Sequence, residues 1–272
     1  MASHIIEVEW LLKSFKQTPL LLGDVPEARV FDRSLLDGPT DSGDIDFKQK
    51  LGHLYEDGLE VLLKGSIGIR HLVSHLQLMD GCGRTLGEFD FLVVDERRRQ
   101  AIHLELAVKF YLAIQIEGEW QFPGPDARDN LQRKVDRMRS HQLVLSQRPE
   151  AQALLLERFE IDKIEVRHLV YGCLFYPMTC QAHMLPEAVN LDCRKGRWLY
   201  VSEWSQHFDL DERLSVIPKP LWPVEINQMQ RDEMEVVSVA ALIALARERC
   251  TMFVTDGSCE PIFLAPDDWL TV

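Results

Sequence analysis

Apolar positions along this chain repeat with two different periods. From Phe47 to about Lys64, Leu51, Leu54, Tyr55, Leu59, Leu62 and Leu63 recur at spacings of three and four, which predicts a helix with one buried face. Gly65 is a plausible stop. An earlier run, residues 5–15, carries Ile5, Ile6, Val8, Trp10, Leu11, Leu12 and Phe15 and predicts a second such helix. Residues 71–79 are rich in Val, Leu and His and predict a strand, followed by a tight turn at Asp80, Gly81 and Gly83. Two stronger strands follow, 87–94 (GEFDFLVV) and 101–113 (AIHLELAVKFYLA). The charged turn between them, 95–100 (DERRRQ), makes the pair a hairpin.

Beyond a Pro/Gly loop at 122–125, residues 126–146 predict one long helix with Asp126 as its N-cap. Pro149 ends that segment, a short helix covers 150–159, and 165–176 (EVRHLVYGCLFY) reads as a strand. A helix crossing between the third and fourth strands makes those two strands parallel. In the last hundred residues, 197–203 looks like a strand, Pro218, Pro220 and Pro223 interrupt the chain, and 233–249 reads as a helix. Short strands are expected at 252–255 and 261–264. The polar stretch 37–44 is a loop. The fold class expected is α/β, a mixed β-sheet flanked by helices. Residues 1–46 pack on a core at 47–176, and 177–272 form a C-terminal extension or subdomain.

A chain of 272 residues makes one or two domains. Its net charge of -13 argues against a protein that coats nucleic acid at large, because phosphate binding depends on Lys and Arg. It does not exclude a nuclease, since binding rests on a local patch. The six cysteines, at 82, 173, 180, 193, 250 and 259, form no Cys-x-x-Cys pair and read as free thiols of a reducing cytoplasm. Glu7 and Glu9 interrupt the first apolar stretch, and no run of about 18 apolar residues occurs, so neither a secretory signal nor a membrane span is expected. The expected location is cytoplasmic.

The hairpin carries the chemistry. Glu88 and Asp90 are two apart on one strand, and His103, Glu105, Ala107 and Lys109 share one face of the next. Charges on a strand face that packs inward need partners or a metal. If the register is suitable, Asp90 and Glu105 meet at the strand ends as a hard oxygen site for Mg²⁺ or Mn²⁺. A nearby lysine would stabilise charge developing at a phosphoryl group.

These residues resemble the PD-(D/E)xK nuclease superfamily, in which a strand reading GExDLI precedes one reading VEVK. The counterparts are GEFDFLV (87–93) and LELAVK (104–109), with Gly52-His-Leu-Tyr-Glu56 resembling the GxxxE helix. The resemblance covers about residues 47–176. It implies a restriction-endonuclease-like core in which Asp90 and Glu105 hold the metal, Glu56 assists, and Glu88 and His103 are accessory. The whole chain also resembles a bacterial family known as domain of unknown function 1853, which has been grouped with this superfamily. One position departs from the pattern. Where the superfamily has lysine two residues after the glutamate, position 107 is Ala, and Lys109 stands four residues on, about 13 Å along a strand at ~3.3 Å per residue. Either the lysine has migrated or the site binds without cutting.

The helix after the third strand carries Arg128, Arg133, Lys134, Arg137 and Arg139, with His141 beyond. Arg133, Arg137 and His141 at i, i+4, i+8 line one face, and Arg133, Lys134, Arg137 and His141 are the expected phosphate contacts. The leading expectation is a Mg²⁺- or Mn²⁺-dependent nuclease acting on DNA, or less readily RNA. Its rivals are a non-cutting nuclease-like scaffold that binds nucleic acid or a protein partner, and a structural α/β protein. The sequence leaves the oligomeric state open.

Overall fold

A computed structural model describes residues 2–41, 45–180 and 184–271, so positions 42–44 of the loop expected at 37–44 lie outside the described residues. The helices are α1 (Ala2–Gln17), α2 (Leu51–Gly65), α3 (Leu131–Arg137), α4 (Pro149–Phe159), α5 (Trp204–His207), α6 (Gln228–Asp232) and α7 (Val239–Glu248). The strands are β1 (Arg29–Val30), β2 (Ile69–Met79), β3 (Thr85–Asp95), β4 (Gln100–Leu112), β5 (Ile114–Ile116), β6 (Glu119–Gln121), β7 (Ile164–Pro177), β8 (Arg194–Tyr200), β9 (Leu214–Val216), β10 (Val236–Val237), β11 (Thr251–Thr255) and β12 (Ile262–Ala265). The fold is α/β, with a large mixed sheet of ten strands flanked by helices. The strand order is β10-β9-β11-β12-β8-β7-β4-β3-β2, with β1 on β7, while β5 and β6 form a separate pair. The chain divides into two compact units, each described by itself below.

The first unit comprises Met1–Thr18, Leu22–Val108 and Val135–Val170. Helix α2 buries Leu54, Tyr55, Leu59, Leu62 and Leu63, as its three-four spacing requires. It starts at Leu51 rather than Phe47, because Lys50 is extended. Gly58 lets α1 approach closely, since a Cβ there would stand 2.9 Å from the Phe15 ring. Strands β2, β3 and the first part of β4 form an antiparallel meander. Leu76, Leu78, Phe89 and Leu92 from the meander pack with Leu145, Ala151 and Leu155.

The second unit comprises Pro19–Leu21, Lys109–Lys134 and Tyr171–Val272. Within it the Ala113 N–H donates to the Phe175 carbonyl, and the Lys109 carbonyl lies against Gly172. Partner numbers rise together along β4 and β7, so the two strands run parallel, as the crossover predicts. A Cβ at Gly172 would stand 1.7 Å from the Lys109 oxygen, and its φ is 153°, so glycine alone fits there. The core of this unit gathers Leu199, Trp204, Leu242, Phe253 and Leu264. Four of the tryptophans, Trp198, Trp204, Trp222 and Trp269, are buried. The helix expected over 233–249 is shorter, because the Ser238 hydroxyl caps α7 by accepting from the Ala241 N–H, and β10 precedes it.

The single long helix expected over 126–146 is not there. Asp126 caps a turn instead, accepting from the Arg128 N–H, and the chain folds back so that the Leu131 N–H reaches the Phe122 carbonyl. Asn130 is the residue whose side chain accepts from the N–H groups of Gln132 and Arg133, which is the chemistry of an N-cap. After seven residues the helix widens into a π turn at Met138–Gln142, and a 3₁₀ turn follows at Leu145–Gln147.

In the first unit His168 pairs with Val30, fastening β1 parallel to β7. Its side chain is fully buried, and among the described residues neither ring nitrogen has a hydrogen-bond partner. Burial pushes the imidazole down to about 4, with the charge of Asp24 opposing weakly. The folded value therefore lies below the ordinary ~6.5. As pH falls through that range, the unfolded chain takes up a proton that the folded chain refuses. Stability is full above pH ~6.5, is lost towards pH ~4, and levels off below that. Urea unfolding at about pH 7.5 and pH 4.5 is expected to show a loss of about 2–3 kcal/mol that His168→Phe largely abolishes.

Candidate functional site

The hairpin β3–β4 is fixed at its closed end by its turn. Asp95 accepts from the N–H groups of Arg97 and Arg98, and Arg99 takes a left-handed conformation at φ 52°. From there the register runs Asp95 with Gln100, Val94 with Ala101, Val93 with Ile102, Leu92 with His103 and Phe91 with Leu104. One position further, at Asp90 and Glu105, the regular pairing stops: Leu92 is the residue paired with His103, yet the Phe89 ring also reaches His103, edge-on at 4.7 Å. There the ladder ends. The Leu106 N–H bonds not to β3 backbone but to Asp90 Oδ2, at 2.9 Å. A side-chain carboxylate thus satisfies the backbone donor that the parting strands leave open.

Glu105 is only 2% exposed, and both of its oxygens are held. His103 Nε2 lies 2.7 Å from Oε1, and the Gln142 amide donates to Oε2 at 2.8 Å. His103 shares the face of Glu105 and is fully buried, its ring edge-on to Phe89 at 4.7 Å. The polar face of β4 is therefore an inward face, not a solvated one, in which Glu105 is met at both oxygens while His103 Nδ1 has no hydrogen-bond partner among the described residues. Gln142 carried little signal in the sequence. Nothing in the apolar periodicity marks the π turn that delivers it.

Glu56 lies on α2, 2.9 Å from His53 Nδ1 and 3.9 Å from His75 Nδ1. The same His75 nitrogen lies 3.5 Å from Glu88 Oε1. His75 therefore draws the two accessory carboxylates to one place, and sequence reasoning missed it. On either side of it Ser74 pairs with Phe91 and Leu76 with Phe89, and the His75 ring lies 6.2 Å from that of Phe91. The backbone of His75 is left-handed at φ 53° in the middle of a strand, a conformation that non-glycine residues adopt at a cost and that gathers at functional sites.

Lys109 belongs to the second unit, where its ammonium pairs with Asp129 at 2.6 Å. The basic residues of the helix divide into those already engaged and those presented to solvent. Arg139 makes a bidentate pair with Glu27, Arg128 pairs with Asp126, and Arg133 donates to the Arg128 carbonyl. Arg133, Arg137 and His141 are exposed and Lys134 is half-buried. Arg133 and Arg137 keep the i, i+4 spacing of α3, while His141 lies in the π turn rather than on an α-helical continuation.

Among the described residues no group of three or more His, Cys, Asp or Glu is disposed to hold a metal ion. The carboxylates of Asp90 and Glu105 nevertheless suit Mg²⁺ or Mn²⁺ in their donor chemistry. Mg²⁺ keeps several waters and takes one or two carboxylates, and each Glu105 oxygen, engaged by one hydrogen bond, retains a further lone pair. Cys82, Cys173, Cys193, Cys250 and Cys259 are free thiols. Among the described residues no helix is long and apolar enough to cross a membrane.

The family model described as a domain of unknown function, DUF1853, matches residues 12–255. No curated protein and no solved structure matches the chain.

The bond from Asp90 to the Leu106 N–H separates a structural from a chemical role for that carboxylate. Asp90→Asn keeps an acceptor for the N–H and is expected to hold stability within about 1 kcal/mol, whereas Asp90→Ala strands it and is expected to cost about 1–3 kcal/mol. Urea unfolding of the two variants side by side measures the difference.

Proposed function

The chain belongs to the DUF1853 family, and from the geometry of its site we propose that it is a metal-dependent phosphodiesterase of the PD-(D/E)xK type acting on DNA, or less readily on RNA. The observation that carries this reading is the parting of β3 and β4 at Asp90 and Glu105. Two carboxylates stand at the end of that ladder, Asp90 tied to the Leu106 N–H and Glu105 almost wholly buried and held at both oxygens.

A divalent cation at these carboxylates supplies Lewis acidity towards a phosphoryl oxygen and an acidified water. The protein's part is to fix the oxygen donors. Asp90 is tied to backbone through Leu106, and Glu105 is tied to His103 and Gln142. His75 gathers Glu56 and Glu88, which can accept protons or orient water. Exposed Arg137 and His141 offer phosphate contacts on the same unit, with Arg133 and Lys134 preceding them in the sequence. The overall negative charge does not oppose this, because a local basic face sets the contact.

One observation favours a second reading, a nuclease-like scaffold that binds nucleic acid or a protein partner without cutting it. Position 107 is Ala, and Lys109 is already paired with Asp129.

Incubation with supercoiled, linear and single-stranded DNA and with RNA, in Mn²⁺ or Mg²⁺, tests the first reading. Cleavage is expected to need the cation and to fall at least about 100-fold in Asp90→Asn, whose fold is retained. Cleavage that persists undiminished in that variant would sink the mechanism. Oligonucleotide binding without cleavage on any substrate would select the scaffold. In either case Arg137→Ala is expected to weaken oligonucleotide binding and to lower the slope of log K against log salt by about 1.

A further inference from the structure

We propose that Gln142 is a positioning residue of this site, brought to Glu105 by the π turn so that its amide fixes the carboxylate in a metal-binding orientation. This rests on the metal-site reading above. A carboxylate on a glutamate side chain rotates freely unless both oxygens are held. Here His103, two residues away on the same strand, holds Oε1, and Gln142 holds Oε2 from a different element. Two anchors on separate elements define the plane of the group, and the lone pairs they leave point in fixed directions.

The turn that supplies the second anchor is irregular in a way that the contact accounts for. The Leu143 N–H bonds to the Met138 carbonyl, five residues back. Relative to an α turn this inserts one residue, which is about 100° of rotation for every position that follows. Met138 and Leu143 on either side are buried, and Arg139 clamps the turn to Glu27 through two hydrogen bonds. The insertion is thus held in place from three directions, with Gln142 at its end. Single π turns inside helices gather at functional sites.

The identity of the residue is also telling. Ala107 shares the face of His103 and Glu105 and brings no polar group to it. A lysine or arginine reaching Glu105 would neutralise the carboxylate and compete with a cation. A glutamine amide donates a hydrogen bond while leaving the negative charge for the metal. Hydrogen-bond partners of metal-ligating groups typically govern metal affinity by 10–100-fold.

Calorimetric titration of the full chain with Mn²⁺ decides the matter, run on the wild type, Gln142→Ala, Gln142→Met and Asp90→Asn, each also unfolded in urea. Gln142→Met keeps the length of the side chain and removes only the donor, so it serves should the alanine variant fail to fold. The expected result is Mn²⁺ binding in the wild type, a Kd raised about 10-fold or more in both Gln142 variants, and no binding in Asp90→Asn. A Kd for Gln142→Met within twofold of wild type, even alongside a lower unfolding midpoint, would overturn the proposal and leave a merely structural contact, with the metal site intact. A wild type that binds no more Mn²⁺ than Asp90→Asn would overturn the metal site itself and the role of Gln142 with it.

Discussion

Burial of the Glu105 carboxylate is the constraint around which the first unit is arranged. An ionised group removed from water is costly unless its oxygens are met, and at 2% exposure solvent meets little of this one. His103 meets one oxygen from the same strand, and Gln142 meets the other from the π turn. That requirement explains two features that would otherwise be liabilities. One is a histidine fully buried in a sheet. The other is a helix that loses its regularity after seven residues. The parting of β3 from β4 belongs to the same arrangement, since Asp90 then takes over the Leu106 N–H that the broken ladder releases.

Charge elsewhere in the unit is largely spent on the chain itself. Glu60 accepts from Ser74 and pairs with Lys64 and His71, and Arg139 is committed to Glu27. Glu56 and Glu88 converge on His75, whose backbone is held left-handed in mid-strand. This left-handed histidine lies between two carboxylates and sets its ring 6.2 Å from that of Phe91. Strain of this kind persists only where surrounding structure enforces it, and here it sits beside the most polar interior of the unit.

The hairpin was legible because its signals agree at every level. A charged turn and two apolar strands set the register, which the structure follows from Asp95–Gln100 to Phe91–Leu104. The α2 helix was legible for the same reason, as its apolar stripe has a single period. The segment after 126 was not. Its many Arg, Lys, Gln, Leu and Met residues are good helix formers, so propensity summed over the segment predicts one long helix. Two local competitions decide otherwise: Asp126 takes the Arg128 N–H and ends the turn early, and tertiary anchoring of Met138 and Leu143 admits an extra residue. Neither leaves a periodic mark. His75 escaped notice for a similar reason, since a left-handed residue inside a strand has no compositional signature when it is not glycine.

The alanine at 107 and the glutamine at 142 are best understood together. In a strand reading His-x-Glu-x-Ala, the face that carries Glu105 has one polar neighbour behind it and a methyl group ahead. With only that neighbour, one oxygen of a buried carboxylate would be unmatched, a loss of about 1–3 kcal/mol or more for a charged group. A lysine at 107 would have supplied a donor from the strand itself. Its absence shifts the demand to a neighbouring element, and the π turn answers it with a neutral amide. Lys109 is not needed for that purpose, and it forms its own pair with Asp129 in the other unit. The late lysine, which looked from the sequence like the weak point of the motif, is thus better explained by its own ion pair, and the residue on which Glu105 depends is one that lies 37 positions further along the chain.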